Sequence, residues 1–139
     1  MMEDLVKAAL EVRSKAYAPY SSHAVGAAIR DADGLIHVGT NVENAAYPQG
    51  QCAEANAIGA MIAAGGRRIM AIAIAGPGPE LCTPCGGCRQ RIREFAAADV
   101  PIAVADPGGT RHCFTLEELL PAAFGPDNLV WSGRQLKDP

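Results

Sequence analysis

The sequence has few aromatic residues, no long apolar run and no concentration of positive charge. Aromatic residues make up 5% of the 139 residues, so we expect a core built mainly from Ala, Val, Ile and Leu. Twelve lysines and arginines stand against 15 aspartates and glutamates, and they form no basic stripe of the kind that binds polynucleotides. Long nucleic acids are therefore not expected as partners.

The sequence also lacks the signals of an exported or membrane protein. The segment from Met1 to Lys7 has no basic part followed by an apolar run, which argues against a secretory signal. No apolar stretch reaches the roughly 18 residues of a membrane-spanning helix. These absences predict a cytoplasmic location, where reducing conditions keep thiols free. The five cysteines are then expected to be ligands or buried thiols rather than disulfides.

Length and composition predict one globular domain. Apolar residues make up 49% of the chain and charged residues 19%, which is ordinary for a folded domain with a sizeable core. We expect a single domain over residues 1–139, with its core at about 5–125. Residues 126–139 are predicted to form an irregular C-terminal tail, which holds the single tryptophan, Trp131.

Apolar periodicity and turn residues predict four helices and five strands. The helices are predicted at 4–18, 53–64, 89–97 and 116–120. The strands are predicted at 24–30, 35–40, 69–75, 101–105 and 111–115. The first two strands flank an Asp-Gly turn, which favours an antiparallel hairpin. Buried strands alternating with helices predict an α/β fold of three layers, α/β/α, around a mixed, roughly five-stranded sheet.

Three cysteines form the most informative pattern in the sequence. Cys85 and Cys88 are two residues apart, so both sulfurs can reach one ion, and Cys52 lies 33 positions earlier at the start of another helix. Both helix N-termini would face the ion, and their partial positive charge favours thiolates. Three sulfur ligands without an obvious fourth are typical of a catalytic zinc site, which keeps one coordination position open.

Glu54 is the candidate base of such a site. It lies in the first turn of the helix that follows Cys52, where its carboxylate can border the same cavity and move the protons of a metal-held water. Three alternatives stay open. First, the helix dipole alone favours a glutamate at a helix start. Second, the zinc site is structural if His112 or Cys113 supplies a fourth ligand. Third, a Cys-x-x-Cys pair can be a redox dithiol.

The pattern Cys-x-Glu followed by Pro-Cys-x-x-Cys resembles that of the zinc-dependent nucleobase and nucleoside deaminases. Within that class, the chain is most similar to the small homotetrameric cytidine deaminases. The blocks that carry this resemblance lie in the family's order at 16–21, 25–28, 41–47, 52–54, 84–90 and 119–124. They cover about residues 5 to 130, and together they imply the cytidine deaminase-like fold.

The resemblance implies hydrolysis of cytidine or deoxycytidine to uridine or deoxyuridine with release of ammonia, as in pyrimidine salvage. It implies one Zn²⁺ per subunit, bound by Cys52, Cys85 and Cys88. Glu54 would take a proton from the attacking water, protonate ring nitrogen N3 and later give a proton to the leaving amine. The backbone of Ala53 would contact the base.

The resemblance also implies a nucleoside pocket and a homotetramer. Asn41 and Glu43 would hold the sugar, since residues two apart in an extended segment face the same way and their side chains can pair with ribose hydroxyls. Glu43 would repel a phosphate, which favours a nucleoside over a nucleotide. Tyr47 and Phe124 would lie at a site shared between subunits. Plain loop polarity is the alternative for the first pair, and use as core aromatics is the alternative for the second.

Two positions depart from the family's pattern. His23 stands where the family has a phenylalanine that stacks on the pyrimidine, and its imidazole adds a hydrogen-bond donor; an exposed loop histidine is the alternative. Ala55 stands where tetrameric members often have an arginine that offsets thiolate charge. Three thiolates and one Zn²⁺ sum to −1. We therefore predict that Asn56, Arg89, Arg91 or a helix-start amide donates a hydrogen bond to a cysteine sulfur.

Two further functions remain open at this point. One is deamination of a modified cytosine nucleoside, as in the related blasticidin S deaminases, which share the three cysteines but lack the stretch from Asn41 to Asn44. The other is a zinc-stabilised binding protein without catalysis, which requires a closed four-ligand site and leaves Glu54 idle. No function is assigned to His37 or to the tail after residue 126.

Overall fold

The computed structural model describes residues 2–129, in which four α-helices and five strands follow one another in the predicted order. The helices are α1 (Met2–Arg13), α2 (Ala53–Ala63), α3 (Gly86–Phe95) and α4 (Leu116–Leu119). The strands are β1 (Gly26–Asp31), β2 (Ile36–Thr40), β3 (Ile69–Ala75), β4 (Pro101–Asp106) and β5 (Gly109–Thr115). Single 3-10 turns lie at Tyr47–Gln49 and Pro126–Asn128.

The five strands form one mixed sheet in the order β2-β1-β3-β4-β5. Strands β3 and β4 are parallel, with Ile72 opposite Ile102. The other neighbouring pairs are antiparallel, including the predicted hairpin of β1 and β2. The predicted α/β class and the mixed five-stranded sheet are confirmed.

Side-chain size divides the two faces of the sheet. Along β3, Ile72 and Ile74 point into a core shared with α2 and α3, whereas Ala71, Ala73 and Ala75 point toward α1. Because successive strand residues face opposite sides, the run Ile-Met-Ala-Ile-Ala-Ile-Ala supplies large side chains to one face and mainly small ones to the other. Helices therefore cover both faces, as predicted, and α2 and α3 lie together on the isoleucine face.

Helix α2 lies very close to β2 because β2 carries a glycine at the crossing point. A Cβ placed on Gly39 would lie 2.4 Å from the backbone nitrogen of Ala57, so no larger residue fits without moving the helix. The side chain of Asn56 adds a hydrogen bond from its Nδ2 to the carbonyl of Thr40, at 2.7 Å. These contacts fix the start of α2 against the sheet edge.

Two predicted helix boundaries are wrong by three residues or more, for different reasons. Helix α1 ends at Arg13 rather than at residue 18, because the backbone of Tyr17 pairs with Asn41 and Glu43. Helix α3 begins at Gly86 rather than at Arg89, since Gly86 and Gly87 form its first turn. Helix α4 begins with a capping box, in which the Thr115 side chain accepts from the backbone of Glu118 and the Glu118 side chain accepts from the backbone of Thr115.

No helix in the stretch from residue 2 to residue 129 is long and apolar enough to cross a membrane. The predicted tail begins with the 3-10 turn at Pro126–Asn128. Trp131 and the other residues from 130 onward lie outside the described residues.

Candidate active site

The three cysteines of the sequence pattern meet at the starts of two helices. Cys52 precedes the first residue of α2, Cys85 precedes the first residue of α3, and Cys88 lies in the first turn of α3. Their sulfur atoms all lie within 4.8 Å of one another. Tetrahedral zinc with Zn–S bonds of about 2.3 Å places its sulfurs roughly 3.8 Å apart, so the cluster needs only small adjustments to hold the ion.

The environment of the sulfurs suits a cationic ligand. Cys88 is buried, Cys52 is half-buried and Cys85 is exposed. Burial raises the pKa of the Cys52 and Cys88 thiols, whereas a backbone hydrogen bond from Cys88 lowers the pKa of Cys85. A coordinated metal ion deprotonates such thiols outright. Neither Cys52 nor Cys85 uses its side chain to cap its helix, so both sulfurs remain available to a metal.

The sulfur cluster has three members in the part of the chain that the structure describes. His112 and Cys113, the candidates for a fourth ligand, are exposed on the edge strand β5 and do not join it. This arrangement fits a site with an open coordination position, and it removes the fourth ligand on which a structural zinc site would depend.

Glu54 lies in the first turn of α2, is only 5% exposed, and has its carboxylate beside Cys88. Burial raises the pKa of Glu54, while a hydrogen bond with Cys88 and the charge of Arg91 favour the ionised form. Ala53, also buried, separates Glu54 from Cys52. A carboxyl group with a raised pKa beside the sulfurs is suited to accept a proton and return it.

Glu43 and Asn41 anchor the loop of residues 20–25. The carboxylate of Glu43 accepts hydrogen bonds from the backbone of Tyr20 (2.9 Å), the backbone of Ser21 (3.2 Å) and the Ser21 hydroxyl. Oδ1 of Asn41 accepts from the backbone nitrogen of Val25 at 2.9 Å. Its Nδ2 donates to the carbonyl of residue 23 at 2.8 Å. This anchoring, and Ser21 as a participant, were not predicted from the sequence.

A cavity of about 340 Å³ lies beside the Glu43 carboxylate. Its lining residues are Tyr20, Ser21, Glu43, Asn44, Tyr47 and Gly50. The backbones of Val42 and Gln51, which are the chain neighbours of the lining residues Glu43 and Gly50, exchange two hydrogen bonds of 2.9 Å. The volume falls in the range of about 300–1,000 Å³ that is usual for small-ligand sites.

His23 contacts Cys82, a residue without a predicted role that lies close to Cys52 and Glu54. Nε2 of the imidazole is 3.7 Å from Sγ of Cys82. Burial and the neighbouring Glu54 charge together raise the pKa of Cys82 to about 11, which places Cys82 close to the predicted base. His23 itself is exposed, as the alternative interpretation of this residue expected.

The two aromatic residues predicted at a shared site are exposed. Tyr47 is 77% exposed and Phe124 is 57% exposed, so the alternative that they are core aromatics is wrong. The ring of Tyr47 packs edge-on against that of Tyr20, with centroids 6.0 Å apart. Nε2 of Gln90 donates to the carbonyl of Phe124 at 2.9 Å, which ties the C-terminal segment to α3.

One of the predicted donors to a cysteine sulfur is present. Nη1 of Arg91 lies 3.8 Å from Sγ of Cys88, so the prediction of a side-chain donor is confirmed. Arg89 instead donates to the carbonyls of Pro84 and Leu119, and Asn56 donates to the β2 backbone. The sequence could name the three candidates but could not choose among them.

Comparisons with known proteins agree with this geometry. Residues 1–104 match the family model of the "Cytidine and deoxycytidylate deaminase zinc-binding region". A cytidine deaminase of Sporosarcina psychrophila is 36% identical over 134 residues, which are 96% of this chain and 98% of that one. A cytidine deaminase of Halalkalibacterium halodurans is 38% identical over 125 residues, 90% of this chain and 95% of that one.

Solved structures give the same result. The crystal structure of cytidine deaminase from Burkholderia pseudomallei superposes with a TM-score of 0.83 at 39% identity, covering 89% of this chain and 99% of that chain. The structure of cytidine deaminase from Mycobacterium tuberculosis gives a TM-score of 0.77 at 37% identity, over 89% of this chain and 97% of that chain. Fold and sequence similarity thus extend over nearly the whole length of these proteins.

Proposed function

Because this chain belongs to the cytidine and deoxycytidylate deaminases, we propose that Cys52, Cys85 and Cys88 bind its zinc and that Glu54 moves the protons of the reaction. The reaction is the hydrolysis of cytidine to uridine and ammonia. The observation that carries the proposal is the cluster of three sulfurs within 4.8 Å beside the buried Glu54 carboxylate.

The chemistry divides between metal and protein. Zinc held by Cys52, Cys85 and Cys88 would act as a Lewis acid and would lower the pKa of the attacking water from about 15.7 to about 7. Glu54 accepts the first proton of the attacking water and gives it to ring nitrogen N3. After the C4–O bond has formed, Glu54 carries the second proton to the exocyclic amine, which leaves as ammonia. Burial favours the protonated carboxyl, so Glu54 can hold a proton between these steps.

We place the sugar in the cavity beside Glu43. The hydrogen bond from Ser21 holds the pKa of Glu43 below its usual value, so this carboxylate is charged at neutral pH and repels a phosphate. Asn41 leaves one Nδ2 hydrogen for a sugar hydroxyl after bonding the carbonyl of residue 23. The Ala53 backbone then contacts the base. These features favour cytidine and deoxycytidine over nucleotides.

We place the pyrimidine against His23, whose imidazole can stack on it as an aromatic ring would. The contact of His23 with Cys82 and the anchoring of its backbone by Asn41 support this position. The side chain brings a ring N–H that a phenylalanine lacks. Base preference is therefore the property that we expect to differ most from family members with phenylalanine.

We also propose a homotetramer in the cytoplasm. The exposed ring of Tyr47 lies at the cavity, and the exposed ring of Phe124 lies beside α3. Both are large apolar surfaces that a neighbouring subunit can cover. All five cysteines are free, which suits a reducing compartment.

A substrate panel tests the proposal. Cytidine, deoxycytidine, cytosine, deoxycytidylate and blasticidin S are offered to the purified zinc-loaded protein, and the loss of absorbance is followed. We expect turnover of the two nucleosides and none of deoxycytidylate. Inactivity on all five would contradict the catalytic assignment, and turnover of blasticidin S alone would establish the modified-nucleoside alternative.

A further inference from the structure

The zinc site of this chain would carry a net negative charge, and the first turn of α2 supplies no cationic side chain to balance it. Three thiolates around Zn²⁺ carry a net charge of −1, and the Glu54 carboxylate adds a second negative group nearby. Residue 55, where tetrameric relatives often have arginine, is Ala55. The helix-start amides of α2 and α3 contribute partial positive charge, but no full charge.

On the basis of the proposed function, we propose that Arg91 is the positioning residue that stabilises the zinc thiolates, in place of the arginine missing at Ala55. Its Nη1 lies 3.8 Å from Sγ of Cys88, within the range of a hydrogen bond to sulfur. Arg91 follows Cys88 by three residues in α3, and residues three apart lie on the same face of a helix. The cation therefore comes from the helix that carries two of the three ligands.

The path of the Arg91 side chain supports this assignment. Long helical side chains lean back toward the helix N-terminus. A Cβ placed on Gly87 would lie 3.1 Å from the same Nη1, so the guanidinium passes directly over Gly87 on its way to Cys88. A glycine at this position leaves room for the cation, while Gly86 has nothing within 4 Å of such a Cβ.

The other candidate donors are used elsewhere. Arg89 donates from Nε to the Pro84 carbonyl at 2.7 Å and from Nη1 to the Leu119 carbonyl at 2.8 Å. Asn56 donates its amide to the carbonyl of Thr40. These two side chains bond backbone carbonyls outside the sulfur cluster, which leaves Arg91 as the residue of the three that reaches a ligand sulfur.

A hydrogen bond from a cation stabilises the charged zinc-thiolate complex more than it stabilises the neutral thiols of the metal-free protein. Its loss should therefore weaken zinc binding near neutral pH, where protons compete for the sulfurs. Partners of metal ligands typically contribute about 10–100-fold to metal affinity. Because Arg91 is exposed and partly screened by solvent, we expect its loss to lower zinc affinity by about tenfold, near the lower end of that range.

The test compares Arg91→Gln with Arg93→Gln. Both substitutions remove one positive charge from α3, but Arg93 faces the C-terminal segment, where its guanidinium lies 4.0 Å from Asp127. Zinc release from the loaded proteins is timed with a chromogenic chelator. We expect Arg91→Gln to release zinc about tenfold faster than the wild type, and Arg93→Gln to release it at the wild-type rate.

Cobalt substitution gives a second readout that does not depend on activity. Loss of a hydrogen bond to a thiolate raises the energy of the sulfur electrons, so the sulfur-to-cobalt charge-transfer band should move to longer wavelength in Arg91→Gln only. Arg91→Lys keeps the charge and should release zinc more slowly than Arg91→Gln. Equal release rates for these two variants would overturn the charge argument.

The outcomes separate this inference from the proposed function. If the wild-type protein binds zinc and deaminates cytidine, but Arg91→Gln matches it in zinc release and in the cobalt spectrum, the role of Arg91 is refuted and the zinc site stands. If the wild-type protein does not retain zinc on its cysteines, the proposed function fails first. Circular dichroism of the variants checks the fold, and the Lys variant decides the question if Arg91→Gln does not fold.

Discussion

The two halves of the proposed active site are built in different ways. The metal half consists of the three cysteines and Glu54 at the starts of α2 and α3, and Glu54 and Cys88 are buried there. The nucleoside half consists of loops, residues 20–25 and 41–50, which are mostly exposed and are held together by side-chain hydrogen bonds. One chain thus brings together the proposed reactive groups, whereas the proposed nucleoside cavity is lined by exposed loops.

This difference follows from what each half has to do. Reactive groups need fixed geometry, and helix starts packed on a sheet supply it together with partial positive charge. A pocket for a nucleoside needs polar groups and an aromatic enclosure, which loops and a neighbouring subunit can supply. Substitutions in the metal half should therefore alter the chemical step, and substitutions in the loop half should alter substrate binding.

The largest loss of kcat is expected from a substitution of Glu54 in the metal half. Glu54→Gln keeps the shape of the side chain but cannot accept a proton, so kcat should fall by about 10²–10⁴-fold while the protein keeps its zinc. Steady-state kinetics together with metal analysis measure this. Glu94→Gln, an exposed change on α3, serves as the control and should leave kcat unchanged.

The loop half is tested at Glu43. Glu43→Gln removes the negative charge that strengthens the hydrogen bonds from residues 20 and 21. We expect KM for cytidine to rise about tenfold or more, with a smaller change in kcat. A loss confined to kcat would place Glu43 with the catalytic groups and would remove the distinction between the two halves.

The proposed shared site is tested at Phe124. Its side chain is 57% exposed in the single chain, so Phe124→Ala should change the stability of an isolated subunit by no more than about 0.5 kcal/mol. If a neighbouring subunit uses the ring, kcat/KM should fall about tenfold and sedimentation should show a weakened tetramer. Wild-type kcat/KM in a monomeric variant would contradict the shared site.

A smaller effect on activity is expected at Asp31, which belongs to neither half. Asp31 is 3% exposed, and its Oδ2 lies 2.7 Å from Nε2 of His37. The hydrogen bond with His37 holds the pKa of Asp31 below its usual value. A carboxyl group with a lowered pKa stabilises the fold above its unfolded-state pKa, and this stabilisation is lost as the pH falls through the lower folded-state pKa.

Asp31→Asn should therefore lower the free energy of unfolding by about 1–3 kcal/mol at pH 7 and leave kcat near the wild-type value. Urea unfolding at several pH values provides the measurement. The difference between wild type and variant should shrink at acid pH, where the wild-type carboxyl is itself protonated. A difference that is constant down to pH 3 would show that the charge of Asp31 does not contribute.

The metal half could be predicted from the sequence because its signals are local. The Cys-x-x-Cys spacing, the helix that follows Cys52 and the glutamate two residues later are all visible in short segments. The strand β3 was predicted with its observed bounds, since a continuous apolar run between polar segments leaves little choice.

The loop half was harder because its contacts join distant segments. The end of α1 depends on Tyr17 pairing with the loop that contains Asn41, which no local pattern reveals. The bond between Glu43 and Ser21 spans 22 residues, and the pair of His37 and Asp31 forms across a turn. Sequence similarity predicts a site role for Glu43, but only the three-dimensional arrangement shows that its carboxylate holds residues 20 and 21.

The coordination of zinc in the loaded protein is the most direct test of the two-part description. Zinc X-ray absorption should show three sulfur ligands at about 2.3 Å and one lighter oxygen or nitrogen ligand, as expected for Cys52, Cys85 and Cys88 with one open position. Four sulfur ligands, or two sulfurs with two nitrogens, would contradict the proposed ligand set and the catalytic site that depends on it.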